Sequence, residues 1–231
     1  MLQVAKHREI MYHILRDIFS GEYAKNLAFK GGTLCYFIHR LDRFSTDIDI
    51  DLIKTVDDEA RFFESMETIL KKYGKIKERS RKQHTLFFLL SYGESDMNIK
   101  IEINTRIWKA NTYSIVNFFG LEMLSQEKST IFANKLVAVT NRKHIVNRDL
   151  YDVYFFFKNM FPINEAVILE RTGKNLQEYL SYLLEFLQKN ISKKNLLEGL
   201  GEVLDNKQKA FVKEKLLEEL YGVLRFQVEM R

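Results

Sequence analysis

The fold is decided by residues 27–53, which read LAFKGGTLCYFIHRLDRFSTDIDIDLI. The sequence predicts a short strand at residues 27–29, a helix that begins at Gly31-Gly32-Thr33, and a strand with a period of two at residues 48–53. A strand, a glycine-rich turn, a helix and a second strand are typical of the opening of an α/β domain.

Three aspartates alternate along the second of these strands. Because side chains of an extended strand point alternately to its two faces, Asp47, Asp49 and Asp51 share one face. Neighbouring members have Cα atoms about 7 Å apart, and at an effective dielectric of 20 two charges at that distance repel by roughly 2 kcal/mol. A divalent cation would turn this repulsion into attraction, and carboxylate oxygens suit Mg²⁺ or Mn²⁺. For this strand taken alone, the alternative is an edge strand whose outer face is simply exposed to water.

The same alternation recurs at residues 98–104, NIKIEIN, where the isoleucines are expected in the core. Lys100, Glu102 and Asn104 then share the opposite face. If this strand neighbours the first, Glu102 adds a third carboxylate to Asp47 and Asp49. Two-metal phosphoryl or nucleotidyl transfer requires such an arrangement.

The glycine turn, which comprises Gly31, Gly32 and Thr33, precedes a predicted helix. It offers free backbone N–H groups, a hydroxyl and the positive end of a helix dipole, all suited to a triphosphate. A tight turn without a ligand is the alternative, and the turn is not a P-loop because no Gly-Lys-Ser or Gly-Lys-Thr follows.

The rest of the chain predicts an α/β (α+β) fold. Helices are predicted at residues 4–19, 34–41, 57–73, 128–143, 147–159, 163–170, 176–188 and 210–228. Strands are predicted at 84–92 and 97–104, joined as an antiparallel hairpin by the loop 93–96, and an edge strand at 111–119. We therefore expect a mixed sheet with flanking helices in a domain of residues 1–120, and a helical domain of residues 121–231.

Two of the C-terminal helices carry candidate site residues. On the first, Lys135 and Arg142 lie at the margin of the apolar side, which suits a phosphate clamp, although a lysine whose stem packs while its amine reaches water is the alternative. On the next, Asp149 and Asp152 share a face, and Asn147 is the predicted N-cap. Asp149 is assigned to the helix dipole and Asp152 to function.

Three further residues of the opening stretch are assigned ordinary roles. Asp51 is expected to be solvated, His39 to be a helix-surface histidine and Cys35 to pack in its helix. Their participation in a site stays open.

Composition restricts the setting of the protein. With 36 Lys and Arg against 31 Asp and Glu, the net charge of +5 permits a polyanionic partner such as RNA, although the Lys- and Asn-rich bias of a low-GC genome explains it equally well. The single cysteine and the lack of a signal sequence predict a cytoplasmic protein. No apolar run approaches eighteen residues, so no membrane partner is expected.

Four motifs in order between residues 27 and 157 resemble those of a known family. They read FKGGT, RFSTDIDID, IKIEIN and NKLVAVTNRKHIVNRDLYDVYFF. The combination resembles the AbiEii/AbiGii toxins, nucleotidyltransferases of type IV toxin–antitoxin and abortive-infection systems. MenT toxins are relatives, and all fall in the DNA polymerase beta-like nucleotidyltransferase superfamily.

The resemblance implies a role for each motif residue. Asp47 and Asp49 become the metal-binding pair, while Gly32 and Thr33 hold phosphate. Lys135 meets the nucleotide. Asp152, in the RDLYD segment, completes the site.

The sequence and the resemblance together predict a Mg²⁺- or Mn²⁺-dependent enzyme that moves a nucleoside monophosphate from an NTP to an acceptor. The predicted sites are catalytic Asp47, Asp49, Lys135 and Asp152; nucleotide-binding Gly31, Gly32, Thr33, Lys135 and Arg142; and metal-binding Asp47, Asp49 and Glu102. The family implies a toxin that acts on the 3′ end of tRNA and a separately encoded antitoxin. The alternatives are a protein or small-molecule acceptor, such as an aminoglycoside, and a catalytically silent nucleotide- or RNA-binding module.

Overall fold

The computed structural model describes residues 4–93 and 98–230. The chain forms two compact units. The sheet unit consists of Met1–Lys109 and Tyr113–Gln126, and the helical unit consists of Ala110–Thr112 and Glu127–Arg231. Within the described residues no helix is long and apolar enough to cross a membrane.

The sheet unit contains a seven-stranded mixed sheet. Its strands are β1 (Leu27–Lys30), β2 (Ile48–Leu52), β3 (Lys75–Lys82), β4 (Thr85–Ser91), β5 (Asn98–Asn104), β6 (Tyr113–Phe118) and β7 (Leu121–Gln126), and its helices are α1 (Val4–Phe19), α2 (Gly31–Ile38) and α3 (Glu59–Lys71), with a short 3-10 helix at Ala24–Asn26. The strand order is β3-β4-β5-β2-β1-β7-β6. The pairs β2–β5 and β1–β7 are parallel, and the other neighbours are antiparallel.

The alternation of apolar and polar residues in β2 and β5 sets the two faces of the sheet. Ile48 and Ile50 of β2 and all three isoleucines of β5 are fully buried, as predicted. In the neighbouring strand β4, Phe88 stacks on Phe63 of α3 with ring centroids 4.8 Å apart. The acidic side chains therefore occupy the face of these strands that points away from α3.

Several predicted elements are confirmed. The helix at residues 4–19 has those bounds, β4 and β5 pair antiparallel, and β6 is an edge strand. Most of the loop predicted at 93–96, and the first residue of the strand predicted at 97–104, fall in residues 94–97, outside the described part of the chain.

Two strands were not predicted. Strand β3 reads KIKERSRK and lies at a sheet edge, so it carries one apolar residue and no period-two signal. Strand β7 follows Gly120, where only helices were expected, and it ends in Ser125 and Gln126, both buried. Buried polar residues of this kind hide the pattern of a core strand.

The helical unit contains α4 (Lys128–Asn141), α5 (Asn147–Lys158), α6 (Glu165–Thr172), α7 (Leu176–Asn190), α8 (Asn206–Glu214) and α9 (Leu216–Glu229). The single helix predicted at 210–228 is wrong, because the backbone breaks at Lys215, where φ is −124°. The N-cap prediction for Asn147 is also wrong. Val146 is the N-cap, whereas the Asn147 amide donates to the backbone carbonyls of Asn195 and Glu198.

Candidate active site

Three carboxylates meet where β2 and β5 run side by side. The parallel register places Asp49 of β2 directly beside Glu102 of β5, and Asp47 immediately precedes β2. This confirms the condition on which Glu102 was expected to join the aspartates. We call Asp47, Asp49 and Glu102 the acid cluster.

Lys100 supplies a positive charge to the acid cluster. Its Nζ lies 3.3 Å from Oδ2 of Asp47 and 3.5 Å from Oε2 of Glu102. Burial alone would lower the pKa of Lys100, but the carboxylates of Asp47, Glu102 and Asp49 outweigh burial and hold it above its ordinary value. The ammonium group therefore stays charged at neutral pH.

Burial and neighbouring charges disfavour the ionised form of Asp49. Burial raises its pKa above the ordinary value for an aspartate; Lys30 opposes this rise, while Asp47 and Glu102 add to it. A carboxylate whose ionised form is disfavoured by burial and by its neighbours gains from a nearby cation.

The glycine turn lies directly against the acid cluster. Gly31 has φ +79°, and a Cβ atom built there would lie 2.8 Å from the Cβ of Asp49, so only glycine fits. Gly32 is the second residue of α2, and a Cβ there would lie 2.9 Å from the Ser45 hydroxyl oxygen. The first N–H groups of α2 thus lie next to Asp49, as a phosphate cradle beside a metal site requires.

Thr33 and His7 fix the loop that carries Asp47. The buried hydroxyl of Thr33 donates to the backbone carbonyl of Asp47. Nε2 of the buried His7 lies 3.0 Å from the carbonyl oxygen of Thr46, and Nδ1 lies 2.5 Å from the hydroxyl oxygen of Tyr92. Burial lowers the pKa of His7, so the neutral ring donates to Thr46 through Nε2 and accepts from Tyr92. Direct contact of Thr33 with phosphate stays a prediction.

Asp51 differs from the other two aspartates, and the expectation that it is solvated is wrong. It is only 2% exposed. Its carboxylate accepts hydrogen bonds from Lys30 (2.5 Å), Gln126 (2.7 Å), Asn104 (2.8 Å) and Tyr113 (3.1 Å). The Asp51 network, as we call this group, ties β2 to β1, β5, β6 and β7. Asp51 is a structural anchor of the sheet.

The acid cluster has the chemistry of a divalent-cation site. Three carboxylates offer hard oxygen donors, and the pKa of Asp49 is raised first by burial and further by the neighbouring Asp47 and Glu102. Across the described residues, no group of three or more His, Cys, Asp or Glu side chains already has the arrangement of a metal site. Lys100, between Asp47 and Glu102, is the cation that these carboxylates contact.

A second charged group lies within the helical unit. Nζ of Lys135 is 2.8 Å from Oδ1 of Asp149 and 3.1 Å from Oδ2 of Asp152, and Nε of Arg142 is 3.3 Å from Oδ2 of Asp149. Asp149 and Asp152 are buried, and the side chain of Lys135 is 16% exposed. We call these four residues the ion-pair cluster. Asp149 lies in the first turn of α5, as its dipole role requires, and it also pairs with Lys135.

The site residues that sequence reasoning missed are Lys30 and His7. Lys30 directly precedes the glycine turn, one residue beyond the strand predicted at 27–29, and was given no role. His7 lies far from the acid cluster in sequence, and no local pattern in α1 marks it. Lys100 was placed on the correct face but given no role.

The fold is that of a nucleotidyltransferase. Two solved structures share the fold. JHP933 from Helicobacter pylori is 19% identical with a TM-score of 0.57, and the match covers 100% of this chain and 95% of that one. A putative nucleotidyltransferase from H. pylori is 19% identical with a TM-score of 0.58, covering 100% of this chain and 98% of that one. None of the curated proteins matches the chain significantly.

The family model of the nucleotidyl transferase AbiEii toxin, of type IV toxin–antitoxin systems, matches residues 13–220. The chain belongs to this family. It is therefore a nucleotidyltransferase of a toxin family, and the family implies an antitoxin partner.

Proposed function

We propose that the protein is a divalent-metal-dependent toxin that transfers a nucleoside monophosphate from an NTP to the 3′-terminal hydroxyl of tRNA. One observation carries the proposal: Asp49 lies beside Glu102 in register, with Asp47 one step before β2 and Gly31 against Asp49. Carboxylates for metal ions and N–H groups for phosphates are thus adjacent within one unit.

The proposed reaction is a single displacement at phosphorus. The 3′-hydroxyl oxygen of the acceptor forms a bond to the α-phosphorus of the NTP, and the bond from that phosphorus to the bridging oxygen of the β-phosphate breaks. Pyrophosphate leaves with the bonding electrons, and the hydroxyl proton passes to a base or to water.

The geometry of the acid cluster supports the roles proposed for its three residues. Asp47 and Asp49 would hold the metal ions, and Glu102 shares them or orients the attacking hydroxyl. Bound divalent ions supply charge neutralisation on the phosphates and a more acidic hydroxyl. The N–H groups of the glycine turn receive the triphosphate.

The family resemblance extends the proposal to the helical unit. Lys135 is proposed to meet the nucleotide and Arg142 to neutralise developing charge, with Asp152 completing the site. The ion pairs of Lys135 with Asp149 and Asp152 fix its ammonium group in one orientation.

Family membership and charge support an RNA acceptor and a cytoplasmic setting. The AbiEii family acts in type IV toxin–antitoxin systems, and the chain carries a net charge of +5. A basic protein attracts a polyanion such as tRNA. The antitoxin is proposed to be a separately encoded protein.

Label transfer tests the proposal. The protein is incubated with each of four α-³²P NTPs, Mg²⁺ and tRNA, alongside tRNA whose 3′ end has been oxidised with periodate. Label on intact tRNA, lost with oxidised tRNA and with EDTA, supports the proposal. Label on a protein or on a small molecule instead would show that the acceptor is not tRNA. Label transfer that persists in EDTA would show that the reaction needs no divalent metal ion.

A further inference from the structure

We propose that Lys100 competes with the divalent ion for the acid cluster, and that its ammonium group turns to the triphosphate once the ion is bound. The inference rests on the proposed function, because it assumes that the acid cluster takes a divalent ion. It assigns a role to Lys100, which lies within the IKIEIN motif but received no role from the resemblance.

The position of Lys100 carries the first half of the argument. Its Nζ lies between two members of the acid cluster, at 3.3 Å from Asp47 and 3.5 Å from Glu102. A divalent ion bound by the same two carboxylates would lie within a few ångströms of the Lys100 ammonium group, whichever oxygen of each carboxylate it used. The ion and the ammonium group therefore repel each other and compete for the same negative charge.

The looseness of this contact supports exchange, as comparison with Lys30 shows. Lys30 is 2.5 Å from Asp51, and three other donors complete that buried carboxylate. Lys100 has no contact that short with either carboxylate, and its side chain is 35% exposed. A flexible lysine stem can carry its charge a few ångströms without any change in the sheet.

The charge of Lys100 accounts for its proposed turn toward the triphosphate. When the carboxylates neutralise a metal ion, the ammonium group of Lys100 loses the attraction of Asp47 and Glu102. The nearest anion in the proposed reaction is the triphosphate, because the glycine turn that receives it touches Asp49. A lysine point charge is a common ligand for phosphate.

Calorimetric titration with Mn²⁺, in the absence of nucleotide, tests the first half directly on the full chain. Wild type is compared with Lys100→Gln, with Lys100→Arg, which keeps the charge, and with Lys82→Gln. Lys82 is a matched control, since it lies on strand β3 with its Nζ 5.3 Å from the centre of the Phe87 ring, and Phe87 is the β4 partner of Glu102. Its removal changes net charge equally without touching the acid cluster. Thermal unfolding verifies that each variant is folded. If Lys100→Gln does not fold, Lys100→Met takes its place.

The Lys100→Gln substitution is expected to change the affinity for Mn²⁺ and the affinity for the nucleotide in opposite directions. Lys100→Gln binds Mn²⁺ more tightly than wild type, by about three- to tenfold, whereas Lys82→Gln and Lys100→Arg stay within about twofold of wild type. With Mn²⁺ saturating, Lys100→Gln binds a non-hydrolysable NTP more weakly by a similar factor.

Three results would overturn the inference. If wild type binds Mn²⁺ and Lys100→Gln binds it no more tightly, Lys100 does not compete and only this inference fails. If Lys82→Gln gains as much affinity for Mn²⁺ as Lys100→Gln, the gain is caused by the change in net charge and not by the loss of the Lys100 contacts. If no variant binds Mn²⁺, the metal dependence of the proposed function fails, and this inference falls with it.

Discussion

The acid cluster of the sheet unit and the ion-pair cluster of the helical unit use the same residue types in opposite ways. The ion-pair cluster matches two cations with two carboxylates, and both carboxylates are buried. The acid cluster sets three carboxylates against Lys100, with the charge of Lys30 also acting on Asp49, and Asp47 and Glu102 are 24% and 36% exposed. The carboxylates of the ion-pair cluster are already matched by cations, whereas the acid cluster has more carboxylates than cations and exposes two of them, which leaves it open to a cationic ligand.

The largest expected effect is on catalysis. Asp49→Asn should lower the rate of nucleotidyl transfer by about a thousandfold or more, because an amide cannot replace an ionic metal ligand. Single-turnover transfer to tRNA measures the loss. A rate within tenfold of wild type would contradict the metal-binding role of Asp49.

The same variant should unfold no more easily than wild type. The pKa of Asp49 is raised in the folded state, so its ionised form disfavours folding at neutral pH, and the neutral asparagine removes that cost. Urea unfolding at pH 7 measures this. A large loss of stability would place Asp49 among the structural aspartates.

The next largest effect is on the stability of the helical unit. Asp152→Ala removes a fully buried carboxylate and leaves the charge of Lys135 half-compensated, which should cost about 3–5 kcal/mol of unfolding free energy. Urea unfolding followed by circular dichroism gives the value. Because Lys135 also pairs with the buried Asp149, the compensating variant replaces all three, as Asp149→Leu, Asp152→Leu and Lys135→Met, and should restore much of the loss. A triple variant as unstable as Asp152→Ala would contradict the ion-pair explanation.

A smaller loss of stability is expected in the sheet unit. Asp51→Ala leaves Lys30, Gln126 and Asn104 without a buried acceptor, at a cost of about 2–3 kcal/mol. The unfolding free energy tests this against Asp49→Asn in the same strand. Equal stability of the two variants would remove the distinction between the site aspartate and the anchor aspartate.

The smallest effect is expected at the glycine turn. Gly31→Ala should cost about 1–2 kcal/mol, from the positive φ and from the contact with Asp49. Because that contact displaces Asp49, transfer should fall by about tenfold or more while the fold persists. Gly120→Ala is the matched control, since Gly120 has φ +82° and its added Cβ would meet no neighbour. Loss of transfer in both variants would show that the contact with Asp49 is not the cause.

Strands with a clear alternation of apolar and polar residues could be predicted from the sequence. Strands that bury polar residues could not. The alternation of β2 and β5 correctly placed Ile48, Ile50 and Glu102 on their faces. Strand β7 was missed because Ser125 and Gln126 take core positions in it.

The candidate site divides in the same way. The pair Asp47 and Asp49 and the glycine turn follow from local spacing, which a strand and a turn translate directly into geometry, whereas Glu102 joins them only because β5 pairs with β2. The burial of Asp51 does not, because its partners Lys30, Asn104, Tyr113 and Gln126 come from four other strands. Only the sheet topology brings those side chains together, and alternation alone gave Asp49 and Asp51 the same environment.

The most direct test of the central claim is the intact mass of a transcribed tRNA after incubation with the protein, Mg²⁺ and each NTP in turn. Wild type is predicted to add one or more nucleoside monophosphates to the tRNA, and the Asp49→Asn variant is predicted to add none. An unchanged tRNA mass with all four NTPs would contradict tRNA as the acceptor. An equal gain with Asp49→Asn would contradict the acid cluster as the site of transfer.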